Sequence, residues 1–178
     1  MPRLFTALEL PAEIVFSLSL LRGGLPGARW IDAENYHITL RFIGDVDERT
    51  ADSVAESLEM ISRPSFSVAL SGLGSFGSRK PHCVWAGMTM TGEISDLQSE
   101  LERRMQRIGL EPERRKFVPH VTLARLKRSS VTDVADYLAL RGDFRSPPFP
   151  VGRFVLLSSR ASRGGGPYLV EEAYPLAA

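Results

Sequence analysis

His37-Ile38-Thr39-Leu40 recurs later in the chain as His120-Val121-Thr122-Leu123. Each copy lies in an apolar, β-branched run, Tyr36 to Ile43 and Val118 to Leu126, that reads as a strand. On a strand, residues i and i+2 face the same way. His37 and Thr39 therefore share one face, and Ile38 and Leu40 share the other. The same division holds for His120 and Thr122 against Val121 and Leu123. A strand, a loop and a helix accompany each copy, so the repeat predicts two similar halves.

Outward from the tetrads, Leu4 to Leu10 reads as a strand. A helix is expected between Pro11 and Gly23-Gly24, with Ile14, Leu18 and Leu21 on its apolar side. Ala51, Val54, Ala55, Leu58 and Ile61 mark a second amphipathic helix. Ile94, Leu97, Leu101, Met105 and Ile108 mark a third, with Gly109 as its stop. Ser130 to Asp133 has capping-box spacing before a short fourth helix at Val134 to Leu138. Trp30-Ile31, Phe66 to Leu70, Cys83 to Met90, Phe149 to Leu157 and Tyr168 to Val170 read as further extended segments. Strands outnumber helices without regular alternation, which predicts an α+β fold with mostly antiparallel sheet.

The chain has 178 residues, 43% of them hydrophobic and 24% charged, as in an ordinary globular protein. Lys and Arg total 22 against 21 Asp and Glu, a formal charge of +1. Such a balance gives no global field for tight non-specific binding to long nucleic acid, though a local basic site remains open. Cys83 is the single cysteine, which excludes a disulfide framework and points to a reducing compartment. No leader pattern and no apolar run long enough to cross a membrane stand out. A soluble cytoplasmic protein is expected.

Two imidazoles facing one cleft form an acid–base pair, because a histidine titrates near neutrality. One takes a proton from an attacking oxygen, and the other gives a proton to a leaving oxygen. Thr39 and Thr122 could then donate hydrogen bonds to the non-bridging oxygens of a phosphate. Arg125 has a guanidinium suited to the same anion. Its odd offset from His120 would turn it away on a regular strand, so a bulge or twist is needed to re-aim it.

The paired tetrads resemble the hallmark of the two-histidine phosphoesterase superfamily. Other stretches resemble its RNA 2′,3′-cyclic phosphodiesterase branch, also described as 2′-5′ RNA ligase-like. These are Arg3-Leu4-Phe5 with Leu10-Pro11, His37 to Gly44, Val84-Trp85-Ala86-Gly87, Phe117 to Arg125, Leu157-Ser158-Ser159 and Tyr168. The resemblance covers nearly the whole chain in order. It implies one bilobal domain over residues 1–178, with two mostly antiparallel sheets in pseudo-twofold halves and helices outside. It implies metal-independent hydrolysis of RNA 2′,3′-cyclic ends to 2′-phosphomonoesters, with weak reverse 2′-5′ ligation. His37 would be the proton donor and His120 the acceptor. Thr39, Thr122 and Arg125 would hold the phosphate, and no cofactor or metal is called for. The expected partner is RNA with 2′,3′-cyclic phosphate ends, or related cyclic nucleotides, acting on a monomer with no membrane contact. A phosphodiesterase for small cyclic nucleotides and a non-catalytic binder of RNA ends are the rival readings.

Other signals are weaker. Gly72-Leu73-Gly74-Ser75-Phe76-Gly77 has the spacing of a dinucleotide-binding loop but opens no helix, so its glycines are expected in a loop. Gly164-Gly165-Gly166 lacks the Lys-Ser/Thr of a P-loop. His82 is expected to be structural or solvent-exposed. Arg103, Arg104, Arg107, Arg114, Arg115 and Lys116 read as a solvated run interleaved with Glu, with an RNA-backbone role as the alternative. Tyr36, Phe42, Trp85 and Tyr168 are candidates to stack a base, with core packing at least as expected for Phe42 and Trp85.

Overall fold

Both tetrads enter neighbouring strands. The computed structural model describes residues 1–159 and 166–178, and most of the glycine-rich stretch read as a surface excursion, residues 162–165, lies outside them. In chain order the elements are β1 (Arg3–Leu8), α1 (Ala12–Ser19), β2 (Ala28–Trp30), a 3-10 turn (Ala33–Asn35), β3 (Ile38–Asp45), α2 (Glu48–Glu59) and β4 (Phe66–Val68). There follow β5 (Leu70–Phe76), β6 (Cys83–Met88), α3 (Gly92–Arg107), β7 (His120–Leu126), α4 (Val131–Arg141), β8 (Phe149–Val151), β9 (Arg153–Ser159) and β10 (Tyr168–Pro175).

The main sheet runs β10-β9-β1-β3-β7-β6-β5, and β2 pairs with β7. All of its pairings are antiparallel. The two halves expected from the repeat meet at one residue pair, Ile38 opposite Val121. β2 takes the other end of the same β7 edge, pairing Ala28 with Leu126 and Trp30 with Ala124. β3 therefore leaves β7 after its first residue, and the histidine face opens between them. A small second sheet pairs β4 with β8.

The helices are capped as their sequences predict. Asp47 accepts from the Thr50 amide at 2.7 Å at the start of α2, and Ser130 and Asp133 form the expected capping box of α4. α3 ends where Gly109 adopts φ +95°, with the Leu110 amide bonded to Met105 O and the Gly109 amide to Gln106 O, both at 3.0 Å. α3 buries Ile94, Leu97, Leu101 and Met105 completely. Burial of each such side chain contributes about 1.5–3 kcal/mol.

The strand period divides the sheet's faces. Leu4 and Leu8 join the core that also holds the buried helix residues, while Phe5 and Ala7 join Val155 and Leu157 on the other face, against Tyr168. Ile38, Leu40, Val121 and Leu123 all lie in the first core, at most 3% exposed.

The structure corrects several local readings. The Gly72–Gly77 stretch lies mostly within strand β5 rather than in a loop. Gly74 answers to a neighbour: a Cβ there would sit 2.4 Å from the Trp85 ring, which lies across it. The Phe149 to Leu157 run breaks at Gly152 into β8 and β9, and Tyr36 precedes β3. Among the described residues no helix is long and apolar enough to cross a membrane.

Candidate active site

The last residue of each tetrad is an extra residue in its ladder. In β3, Thr39 faces Ala7 and Arg41 faces Thr6, which leaves Leu40 between them without a partner. In β7, Thr122 faces Trp85 and Ala124 faces Val84, which leaves Leu123. Such a bulge re-aims the residues beyond it. Leu40 and Arg41 are both buried, as are Leu123 and Ala124, so alternation resumes out of phase. The fifth residue after each histidine consequently returns to the histidine's face. On β7 this is Arg125, re-aimed as the sequence required. On β3 it is Phe42, which lines the cleft at 42% exposure instead of packing in the core.

The two histidines are held alike. His37 Nδ1 lies 2.8 Å from the Asn35 carbonyl, and His120 Nδ1 lies 2.6 Å from the Val118 carbonyl. A carbonyl only accepts, so each Nδ1 carries the proton and donates it. Each neutral ring therefore has its lone pair on Nε2. The partners of Nε2 differ. His37 Nε2 is 3.0 Å from Thr39 Oγ1, while His120 Nε2 has no hydrogen-bond partner among the described residues.

Aromatic rings bracket both imidazoles. Phe5 and Tyr168 each stand 5.1 Å from His37, and Phe76 and Trp85 stand 5.1 and 6.0 Å from His120. Tyr168 and Trp85 thus wall the histidines. Tyr36, another stacking candidate, is only 6% exposed and belongs to the core.

His37, Thr39, His120, Thr122 and Arg125 all line one cleft of about 410 Å³. His82 also lines it, at the exposed end of the wall, and Arg115 reaches it from the loop before β7. Cys83 lies behind Thr122 with Sγ 4.0 Å from its hydroxyl. Burial pushes the Cys83 thiol up, so it is protonated and a poor nucleophile at neutral pH.

Burial lowers the pKa of His37 below its ordinary value. The Asn35 bond opposes this, while the nearby charges of His120 and Arg125 add to it. Burial also lowers His120, against the opposing bond to Val118. Both rings are therefore mostly neutral at pH 7 in the free protein.

A buried cation supports the site from behind. Arg41, 5% exposed, bonds Glu102 of α3 through Nε at 2.6 Å and the Glu111 carbonyl at 2.6 Å, and also donates to the Phe42 carbonyl. Glu102 in turn accepts from the Glu113 amide at 3.0 Å. Burial alone would raise the Glu102 carboxyl, but bonds from Arg41, Gln106 and Glu113 hold it below the usual range. Arg41 and Glu102 thereby tie β3 to the segment leading into His120. The tetrads gave no sign of this pair.

The model of the LigT like Phosphoesterase family matches residues 8–85 and 89–168, one tetrad in each segment. The chain belongs to the LigT-like phosphoesterase family. Proteins similar to this LigT-like phosphoesterase include the RNA 2′,3′-cyclic phosphodiesterase of Aeropyrum pernix. It is 36% identical over 153 residues, covering 84% of this chain and 86% of that one. The RNA 2′,3′-cyclic phosphodiesterase of Thermotoga maritima is 34% identical over 176 residues, covering 94% and 92%. The crystal structure of Escherichia coli LigT complexed with 3′-AMP superposes with a TM-score of 0.80 at 28% identity, covering 99% of both chains. The α+β fold of this chain is thus that of the LigT-like phosphoesterases.

Proposed function

We propose that residues 1–178 act as one bilobal unit that hydrolyses RNA 2′,3′-cyclic phosphate ends to 2′-phosphomonoesters without a metal. The observation that carries the reading is the pair of Nδ1-anchored imidazoles lining one cleft, with unequal surroundings at Nε2. The printed names of the Aeropyrum and Thermotoga relatives support the substrate.

His120 Nε2, free to accept, takes a proton from water as the water oxygen bonds to phosphorus in line with O3′. The P–O3′ bond breaks, and protonated His37 gives its Nε2 proton to O3′. The ribose keeps the phosphate on O2′ and regains a 3′ hydroxyl. Thr39 Oγ1 accepts from the His37 imidazolium, which leaves its own O–H for a phosphate oxygen. Thr122 and Arg125 hold the remaining charge. With an RNA 5′ hydroxyl in place of water, the same steps give weak 2′-5′ ligation.

Acid and base both come from the chain, and among the described residues no three His, Cys, Asp or Glu side chains gather at metal-binding spacing. Both histidines also come from one chain, which supports action as a monomer. The single buried Cys83 fits the cytoplasm.

The test is an RNA oligonucleotide with a 2′,3′-cyclic end, followed by phosphorus NMR with and without chelator. A 2′-phosphate at unchanged rate is expected. A 3′-phosphate product, an intact cyclic end, or activity lost to chelator and restored by zinc or manganese would overturn the reading.

The pH dependence follows from the lowered histidines. Activity rises with pH as the base loses its proton and falls as the acid loses its own. Both pKa values lie below the ordinary 6.5 in the free enzyme. The profile of kcat/KM, which reports free enzyme, is therefore expected to be a bell with its optimum on the acid side of 6.5. A bound phosphate anion favours the imidazolium, so the profile of kcat should lie at higher pH. The limbs belong to the pair jointly. A kcat/KM optimum above neutrality would contradict this electrostatic account.

A further inference from the structure

A second groove, about 470 Å³ in volume, opens off the catalytic cleft. Thr39, Phe42, Phe76, His82, Arg115 and His120 line both spaces, so the two are continuous. On one side stands the β5–β6 hairpin, which carries Arg79 and Lys80 at its tip. The tip is pinched shut by the His82 amide, 3.0 Å from the Phe76 carbonyl. On the other side runs the segment before β7, with Arg114 and Lys116 flanking Arg115, and Lys116 and Phe117 line the groove itself. Arg79, Lys80, Arg114 and Lys116 are exposed, and none is ion-paired among the described residues. Arg3, at the rim of the catalytic cleft, is by contrast paired with Asp45. Lys116 thus lines the groove, while Arg114 and the hairpin's Arg79 and Lys80 are carried on the segments that form its two banks.

We propose that this groove is the exit path of the RNA chain, and that Arg79 and Lys80 on one bank and Arg114 and Lys116 on the other bind phosphates upstream of the cyclic end. The proposal rests on the RNA reading above and adds the residues that distinguish an RNA end from a cyclic mononucleotide. Lysines and arginines on a groove neutralise backbone phosphates whatever the base sequence. Phe76 and Phe117 give the groove an apolar lining that tolerates any base. The enzyme accordingly prefers an oligonucleotide to a mononucleotide, with little sequence preference and a strong dependence on salt.

The experiment uses two substrates, a 2′,3′-cyclic mononucleotide and an RNA pentamer with a 2′,3′-cyclic end. It compares the wild type with the double variants Arg79→Ala/Lys80→Ala and Arg114→Ala/Lys116→Ala. Each double variant is expected to reduce the pentamer-to-mononucleotide ratio of kcat/KM by about 3- to 20-fold, as exposed phosphate contacts do. The slope of log kcat/KM against log salt for the pentamer should flatten by about 1.4, for two single-strand phosphates lost. An unchanged ratio, or equal losses on both substrates, would overturn the proposal. In parallel, the affinity of a pentamer ending in a 2′-phosphate is measured by fluorescence anisotropy, which needs no turnover. Weaker pentamer binding in the variants supports the exit path even if no cyclic end is hydrolysed, and binding indifferent to both banks rejects it even if hydrolysis is normal.

Discussion

His37→Ala and His120→Ala are each expected to slow hydrolysis of a 2′,3′-cyclic end by about 10²- to 10⁴-fold, the usual contribution of a positioned acid or base. The double variant should lose far less than the product of the single losses, because the two groups act as a unit. The residual partners differ in a way that assigns the roles. Among the described residues His120 Nε2 has no hydrogen-bond partner, whereas His37 Nε2 faces the Thr39 hydroxyl. A substrate whose leaving group needs no proton should rescue His37→Ala and leave His120→Ala slow. Single-turnover rates with such an activated diester make the comparison. Rescue of His120→Ala alone would reverse the roles, and full activity in both variants would remove the histidines from the chemistry.

Arg41→Met is expected to cost the fold a large part of its stability from a single change behind the cleft. It strips the partner from Glu102, whose side chain is 17% exposed. It also frees the Glu111 and Phe42 carbonyls that Arg41 satisfies. Removing one member of a buried pair costs about 3–5 kcal/mol, and Glu102 keeps some contact with water, so about 3 kcal/mol is the expected loss. For a domain of this size that lowers Tm by about 6–12 °C. Arg41→Met/Glu102→Leu should recover much of the loss, since an apolar pair leaves no stranded charge. Urea unfolding of the three proteins decides. A single variant as stable as the parent would mean that the pair contributes nothing.

The site was legible in the sequence wherever the information was local. Strand alternation placed His37 and Thr39 opposite Ile38 and Leu40, and the repeat placed His120 and Thr122 likewise. The need for a bulge before Arg125 could be stated from its offset alone. Phe42 was left open between base stacking and core packing although it occupies the same fifth position, because plain alternation ignores the bulge at Leu40. Gly74 of β5 was placed in a loop because its reason lies in another strand, in the ring of Trp85. The Arg41 pair spans sixty-one residues of sequence, and no periodicity links its members. Phe5 and Phe76 became walls of the histidines only through strand pairing, which a single sequence does not display.

The indole of Trp85, lying across Gly74 with its ring 6.0 Å from that of His120, makes the protein its own spectroscopic indicator. An imidazolium quenches a nearby excited indole, and a neutral imidazole does so far less. The other tryptophan, Trp30, sits instead beside Tyr137. In a Trp30→Phe background the emission therefore brightens with rising pH as His120, the imidazole against the indole, sheds its proton. That midpoint follows the His120 ring itself, whereas the rate profile follows the two histidines together. Set beside the bell, it shows how far His120 has titrated at each pH without altering a single residue that meets the substrate's phosphate.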